Sequence, residues 1–389
     1  MTKTSTNSAN ARHETRDSVK EIVESYRAES PLAEASTIPA PWYVDPRVLQ
    51  LERRTVFSRS WQLAGRVDQV RRAGEYLTCD IAGEPVLVVR GNDGVLRGFF
   101  NVCRHHAAIV MPRSEGKTQN LRCPYHGWTY TLKGELKGTP DFAGVCNFDR
   151  AMTGLVPVQV DVWEKWVFVK LEAVGSSLAE FLSGALMNPI RRLGLEKLHW
   201  LERRRYSLNC NWKIFVDNYL DGGYHVPLLH RGLSSVLDRS QYTIETGERF
   251  CLQSSPITKR GGDVRMSAVR KGNRARYYWI YPNLMVNAYR GVLDTNLVCP
   301  SGVDRTEIIF DFYFADISER ARERDLASIA ASERIQEEDA AICSSVQRGL
   351  ASPAYVAGRL SVRREAGEHL FHRLLYSDLK TGLDGALGR

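Results

Sequence analysis

Residues 101–106 read NVCRHH and residues 122–128 read RCPYHGW, so Cys103 and His105 form a Cys-x-His pair and, after seventeen intervening residues, Cys123 and His126 form a Cys-x-x-His pair. Two short turns that each offer one thiolate and one imidazole can clamp a metal centre between loop tips, and Pro124 and Gly127 give the second tip its bend. Such a donor set also suits structural zinc, but zinc modules usually pair like ligands with like, whereas here each loop mixes the two. The mixed pairing matches a [2Fe-2S] cluster in which two cysteines hold one iron and two histidines the other. Neutral imidazoles remove negative charge from such a cluster and raise its potential. His106 is adjacent but is not expected to be a ligand. A centre of this kind carries one electron and does no chemistry on a substrate, so it implies a second site.

Around these loops, Glu75–Ile81, Pro85–Arg90, Val95–Asn101, Leu121–Pro124, Trp128–Thr131 and Trp166–Leu171 are short, β-branched or aromatic, and separated by Gly or Asp turns. They predict a small all-β domain over residues 62–172. Residues 1–40 read as a polar arm with one short helix, Ser18–Tyr26, and a Pro-bearing linker, Ser30–Pro41; residues 41–61 carry a helical pattern, Pro46–Trp61, expected to pack on the later domain. Over 173–389 helices are predicted near 178–195, 207–230, 319–348 and 363–380, with strands at 277–281, 284–289, 292–299 and 306–314. Consecutive strands with short turns favour an antiparallel sheet with helices on one side, hence an α+β class. There is no internal repeat, and no GxGxxG fingerprint for a dinucleotide.

A chain of 389 residues suggests two or three domains, and 43% hydrophobic with 25% charged residues is ordinary globular usage. No window approaches the roughly 18 apolar residues of a membrane span. The net charge of +8 could suit nucleic acid, but basic clusters such as Arg203 to Arg205 and Arg320 to Arg324 are short and interrupted by acids, as solvated helix faces are. Docking of an acidic protein fits the same surplus. The eight cysteines lack the dense spacing of a secreted scaffold, and the N-terminus has no apolar signal region, so a reducing compartment is expected: the cytoplasm, or an organelle stroma given a Ser/Thr-rich start.

The second constellation lies in NWKIFVDNYLDGGYHVPLLH, residues 211–230. Asp217, Asp221 and His225 are four apart and would share a helical face, while Pro227 should bend or end the helix so that His230 converges with His225. The long helix near 319–348 offers Glu337, Glu338 and Asp339. On a wheel of about 100° per residue Asp339 falls inside the stripe of Ile335, Ile342, Cys343, Val346 and Leu350. Glu338 falls at its edge and Glu337 opposite, so both read as solvated charges. An acid centred on an apolar face is costly unless paired or metal-bound. His225, His230 and Asp339 therefore form a candidate 2-His-1-carboxylate site for iron(II), with open positions for O2.

Together the two constellations resemble the catalytic subunits of Rieske non-haem iron oxygenases, the ring-hydroxylating oxygenase alpha-subunit family, from about residue 41 to the end. The resemblance implies a Rieske [2Fe-2S] domain and a helix-grip catalytic domain, with electrons supplied by an external ferredoxin or flavoprotein reductase. It also implies a ring of subunits, usually a homotrimer, in which an acid joins the first iron histidine to the cluster of a neighbour. That would make Asp221 the link between His225 and His126 of the partner subunit. Most members place this acid three residues before the histidine, where this chain has Gly222; Asp217 is an alternative to Asp221.

The forms DNYLDGGYHVP at 217–227, SVQRGL at 345–350 and GEHLFH at 367–372 look most like the choline-oxidising members. That implies hydroxylation of choline at its carbinol carbon to betaine aldehyde hydrate. A quaternary ammonium needs aromatic faces, and Tyr277, Trp279 and Tyr281 project to one side of a predicted strand, with Tyr289, Phe310 and Phe312 as further candidates. The alternatives are N-demethylation of betaine or carnitine-like compounds, ring hydroxylation of an aromatic, or an electron-transfer or zinc-stabilised binding module.

Overall fold

The structure, a computed structural model, describes residues 18–258 and 264–386, so residues 1–17 of the predicted arm lie outside it. Helix α1 (Val19–Glu24) starts from a capping box in which Ser18 Oγ accepts from the Glu21 amide and the Glu21 carboxylate accepts from the Ser18 amide. Its Ile22 and Val23, with Tyr26 and Ile38 beyond, are buried, so residues 18–40 pack on the body instead of projecting as a polar arm. Helices α2 (Pro41–Val44) and α3 (Pro46–Glu52) follow, α3 capped by Asp45 and continuing into a π-helical turn, Arg53–Phe57.

The next segment is all-β. Strands β1 (Gln62–Arg66), β2 (Glu75–Ile81), β3 (Glu84–Arg90), β4 (Leu96–Phe100), β5 (Glu115–Lys117), β9 (Pro157–Trp163) and β10 (Trp166–Lys170) form one antiparallel sheet in the order β1-β10-β9-β4-β3-β2-β5. Strands β6 (Leu121–Arg122), β7 (Thr129–Tyr130) and β8 (Leu136–Gly138) form a smaller one that carries the second cysteine loop.

Helix α4 (Leu178–Arg191) leads into the second domain, whose antiparallel sheet has the order β11-β17-β16-β15-β14-β13-β12. Its strands are β11 (His199–Leu208), β12 (Thr243–Thr246), β13 (Phe250–Pro256), β14 (Arg274–Ile280), β15 (Leu284–Tyr289), β16 (Val292–Gly302) and β17 (Arg305–Phe314). Arg203 to Arg205, read above as a solvated helix face, lie instead on β11, where Arg203 forks onto Asp311 at 2.6 and 2.9 Å and Arg205 meets Glu307 at 2.9 Å. Cross-strand ion pairs let a charge-rich segment serve as a strand, which composition alone does not reveal.

Both faces of this sheet are covered. The face bearing Tyr278, Ile280, Val286 and Tyr313 packs on α4 and on Trp61, Trp163, Trp166 and Phe168 of the first domain, where Trp166 Nε1 donates to Tyr313 Oη at 3.1 Å. The opposite face, with Trp279, Met285, Phe310 and Phe312, receives α5 (Trp212–Leu220), α9 (Glu319–Leu350) and α10 (Ala366–Ala386). The predicted helix over 207–230 is thus three pieces: the end of β11, then α5, then α6 (Val226–Leu229). Short α7 (Arg231–Ser234) and α8 (Val264–Val269) complete the set, and no described helix is long and apolar enough to cross a membrane.

Two buried polar clusters tie the helices together. Glu52 of α3 meets Lys213 Nζ at 2.6 Å and Trp212 Nε1 at 2.8 Å, with both charged side chains fully buried. Burial pushes the Lys213 ammonium below its ordinary pKa against the Glu52 charge. Elsewhere Asp217 of α5 accepts from Tyr43 Oη at 2.6 Å and contacts His372 Nε2 at 3.0 Å, and the neighbouring Glu368 carboxyl is pushed well above the usual range by burial and by the Asp217 charge.

Removing one member of a buried pair strands the other charge, so Glu52→Leu should cost about 3–5 kcal/mol in chemical denaturation, and adding Lys213→Met should recover most of it. A single-variant loss below about 1 kcal/mol would show that the pair does not anchor α3. Glu368 has a folded pKa above its unfolded one, so the native state holds an extra proton and its stability declines as pH rises from the unfolded toward the folded value. Glu368→Gln should remove that decline, its advantage over the parent growing by at most about 1.4 kcal/mol per pH unit and vanishing below pH 4. Parallel stability curves from pH 5 to 8 would contradict the assignment.

Candidate metal centres

The two cysteine loops share one backbone design. Cys103 N donates to Ala108 O and Ala107 N to Cys103 O; likewise Cys123 N donates to Trp128 O and Gly127 N to Cys123 O. Ala107 and Gly127, four residues after each cysteine, both take positive φ, 59° and 73°, to close these turns. Cys103 and Cys123 are buried and not disulfide-bonded, whereas His126 and His106 are exposed. The His105 ring stacks on Trp128 at 4.6 Å and 4° and stands 4.7 Å from the His126 ring. His106 lies in the same cluster, but the buried imidazole nitrogen without a partner there is Nδ1 of His105. Burial lowers the His105 pKa, helped by the adjacent imidazoles, and keeps the ring neutral as a ligand must be. Two inward thiols, one orphaned inward nitrogen and an outward imidazole fit a cluster with a buried cysteine-bound iron and an outer histidine-bound iron.

The second centre is built where α5 ends. The helix stops at Leu220 and Asp221 caps it; Gly222 and Gly223 then turn the chain with φ of 67° and 65°. A Cβ on Gly222 would stand 2.2 Å from Arg364 O, so neither an acid nor any other side chain fits there. The break expected at Pro227 therefore falls earlier, and Pro227 opens α6, where φ is already set. Asp221, beyond the helix, accepts from His225 N at 2.9 Å and from His225 Nδ1 at 2.5 Å. Asp217, the alternative partner, is engaged with Tyr43 and His372 instead.

Past this turn the rings of His225 and His230 stand 4.8 Å apart at 86°. Asp339 Oδ1 lies 3.0 Å from His230 Nε2 and 3.9 Å from His225 Nε2, and also accepts from Asn218 Nδ2 at 2.8 Å. Each histidine has its Nδ1–H held by a carboxylate, Asp221 for His225 and Glu338 at 2.6 Å for His230, which turns both Nε2 atoms toward Asp339. Glu338 reads from the sequence as a solvated helix charge; its side chain is 46% exposed, but one of its oxygens reaches inward to Nδ1 of His230. The wheel gave its angle and not the ring beside it. Burial works against a charged His230, but the Asp339 and Glu338 carboxylates outweigh it and raise the pKa, so this point attracts a cation. The donor set fits a divalent iron with positions left open.

These atoms line a cavity of about 120 Å³, walled by Phe215, Tyr219, Tyr242, Tyr277, Tyr289 and Phe310 together with polar side chains. Of the predicted aromatic candidates, Tyr277, Tyr289 and Phe310 line it, whereas Trp279, Tyr281 and Phe312 do not. Trp279 and Tyr281 share the sheet face of Tyr277, as strand alternation requires, but lie further along under α10: Trp279 packs edge-on to Phe371 and Tyr281 donates to Asp378 at 2.7 Å. Alternation fixes a side and not a position along it. Tyr219 and Tyr242, which the sequence did not single out, come from α5 and from the start of β12; the former was legible in principle, on the helix that leads to the histidines.

Residues 60–149 match the family model described as Rieske [2Fe-2S] domain, and residues 195–379 match that of the ring hydroxylating alpha subunit catalytic domain. The chain is 37% identical to a chloroplastic choline monooxygenase of Arabidopsis thaliana, over 93% of this chain and 87% of the relative. It is 30% identical to the carnitine monooxygenase oxygenase subunit of Escherichia coli strain K12, over 88% of this chain and 93% of the relative. A solved quaternary ammonium Rieske monooxygenase shares the fold, with a TM-score of 0.80 at 24% identity, covering 91% of this chain and 98% of that one. So does naphthalene 1,2-dioxygenase from Rhodococcus sp., with a TM-score of 0.73 at 22% identity, covering 88% and 94%. Two family models in series and relatives matched along nearly their whole length place the chain among the Rieske non-haem iron oxygenases, a family whose members carry a [2Fe-2S] cluster and a mononuclear iron.

Proposed function

We propose that the chain hydroxylates a C–H bond of a quaternary ammonium compound with O2, one oxygen atom entering the product and the other leaving as water, with two electrons and two protons consumed. The observation that carries this reading is the aromatic-walled cavity ending on the convergent atoms of His225, His230 and Asp339. Aromatic faces accept a cation that has no hydrogen to donate. The printed activities of the relatives, choline and carnitine oxidation, share that trimethylammonium head. Choline, oxidised at its carbinol carbon to betaine aldehyde hydrate, is the substrate expected from the motifs.

In this reading Cys103, His105, Cys123 and His126 hold the cluster, and His225, His230 and Asp339 hold the mononuclear iron. The cluster supplies single electrons and the iron supplies O2 activation when bound. Asp221 and Glu338 keep both Nδ1 atoms protonated and both Nε2 atoms free to ligate, and Asn218 holds the Asp339 carboxylate in place. His126 is exposed, and exposed Tyr224 and Leu228 flank His225, so Asp221 can meet His126 of the partner subunit across an interface between copies, in a homotrimer. With no dinucleotide motif of its own the chain takes electrons from a ferredoxin or flavoprotein reductase, and the surplus of +8 suits an acidic one. All eight cysteines are unpaired, in keeping with a reducing cytoplasm or stroma.

Anaerobically reduced enzyme mixed with O2 and either choline, betaine, carnitine or an aromatic hydrocarbon should yield oxygenated product, scored by mass, from ammonium compounds only. Product from the aromatic alone would sink the reading. Asp339→Ala should lower turnover at least about a thousandfold, the scale of losing a catalytic group, with the cluster's visible and EPR spectra unchanged. Simultaneous loss of those spectra would mark Asp339 as a folding residue instead.

A further inference from the structure

Resting on the reading that the cavity takes a quaternary ammonium compound, we infer that its far end is a carboxylate site built around Arg270, so that the substrate is a short zwitterion with a trimethylammonium head and a carboxylate tail. Arg270, just after α8, is 4% exposed and lines the same cavity as the iron-site residues. Its Nη1 donates to Ser328 Oγ at 2.9 Å and its Nη2 to Ser332 Oγ at 2.7 Å, two hydroxyls one turn apart on α9, which fix the guanidinium plane. Among the described residues no carboxylate oxygen lies within the 4.0 Å of an ion pair with it. A buried guanidinium without a directly paired anion is costly, and neutral hydroxyls do not offset the charge.

The cavity-wall acid Asp294 feels the Arg270 charge but makes no ion pair with it: burial holds its carboxyl above the usual range, and its hydrogen bonds come from Asn287 Nδ2 and Asn296 Nδ2 at 2.7 and 2.8 Å. Next to Arg270 stand polar atoms awaiting a ligand. Its own Nε has no hydrogen-bond partner, nor has either amide atom of Gln336, a cavity residue only 3% exposed. A fixed fork with a free Nε–H and a free side-chain amide N–H beside it is an arrangement that recognises a planar anion, the amide oxygen being left for another donor.

Helix α9 supplies a ruler. Asp339, Gln336 and Ser332 lie on successive turns facing the cavity, and seven residues separate Asp339 from Ser332. At 1.5 Å per residue that is about 10 Å. A reacting carbon must come within about 3–3.5 Å of the activated oxygen. The remainder, roughly 6–7 Å, suits a carboxylate three or four carbons from the nitrogen. The Tyr289 ring, a predicted part of the cage, is already covered by the Arg270 guanidinium at 4.7 Å, and Tyr277 is hydrogen-bonded to Tyr289, so the ammonium head belongs on the α5 side, against Phe215 and Tyr219, which flank the Asn218 that holds Asp339. A cation lacking the carboxylate gains nothing from Arg270 and is repelled by it.

Calorimetric titration of the iron-loaded enzyme with choline, glycine betaine, carnitine and γ-butyrobetaine tests this directly. The two longer zwitterions should bind at least tenfold tighter than choline. Arg270→Gln should weaken them by about tenfold to a hundredfold, the range for a charge-assisted pair, and leave choline unchanged or tighter. Arg270→Lys should retain part of the affinity, and Gln336→Leu should cost less than Arg270→Gln. Should Arg270→Gln fail to fold, the comparison on the parent enzyme still decides. Choline binding as tightly as γ-butyrobetaine, or equal weakening of both by the variant, overturns the carboxylate site while leaving the ammonium reading standing. If none of the four binds, the ammonium reading fails and this inference fails with it.

Discussion

Two imidazoles and one carboxylate, contributed by residues 225, 230 and 339, have to aim one atom each at a single point, and a histidine ring left alone has no reason to choose its Nε2 edge. The choice is made by Asp221 and Glu338, which take the two Nδ1–H groups at 2.5 and 2.6 Å. Everything around serves that alignment. The Gly222–Gly223 turn lets the chain reverse tightly after α5, the Glu52–Lys213 pair seats the start of α5, and a 32-residue helix packed on the sheet carries both Glu338 and Asp339.

The first centre obeys a different constraint. An electron carrier needs its sulfur ligands protected and one edge accessible, and the paired turns at Cys103 and Cys123 deliver this by burying both thiols while leaving His126 on the surface. The two domains are joined through the outer face of the catalytic sheet, by Trp166 against Tyr313 and by Arg66, which stacks on Trp200 at 3.8 Å near the buried Asp311. The cavity beside His225, His230 and Asp339 lies on the other face, between sheet and helices. In the proposed function, electron entry and substrate chemistry then use separate surfaces of one chain.

Local patterns are legible in the sequence and long-range ones are not. Helix α9 and the strands from β14 to β17 carry strong periodicity and were legible. The strands β11, β12 and β13 were not, because cross-strand ion pairs and hydroxyl contacts such as Thr243 with Ser254 stabilise polar sequences that look like loop or helix. Trp279 and Tyr281 were placed on the correct side of their strand, yet they pack under α10 because the end of the sheet there is core. Nothing in the sequence marks Arg270. A lone arginine in a sequence is a surface charge until a fold buries it.

By itself the sequence determined the order of the two domains and singled out the candidate donor sets and one carboxylate of three consecutive acids, since each depends on spacing within one turn or one helix face. Only the tertiary structure decided which groups orient the histidines, which aromatic rings line the cavity and what charge waits at its far end. Those depend on side chains from elements far apart in sequence meeting in space, and no periodicity along a chain encodes which neighbour a face will find.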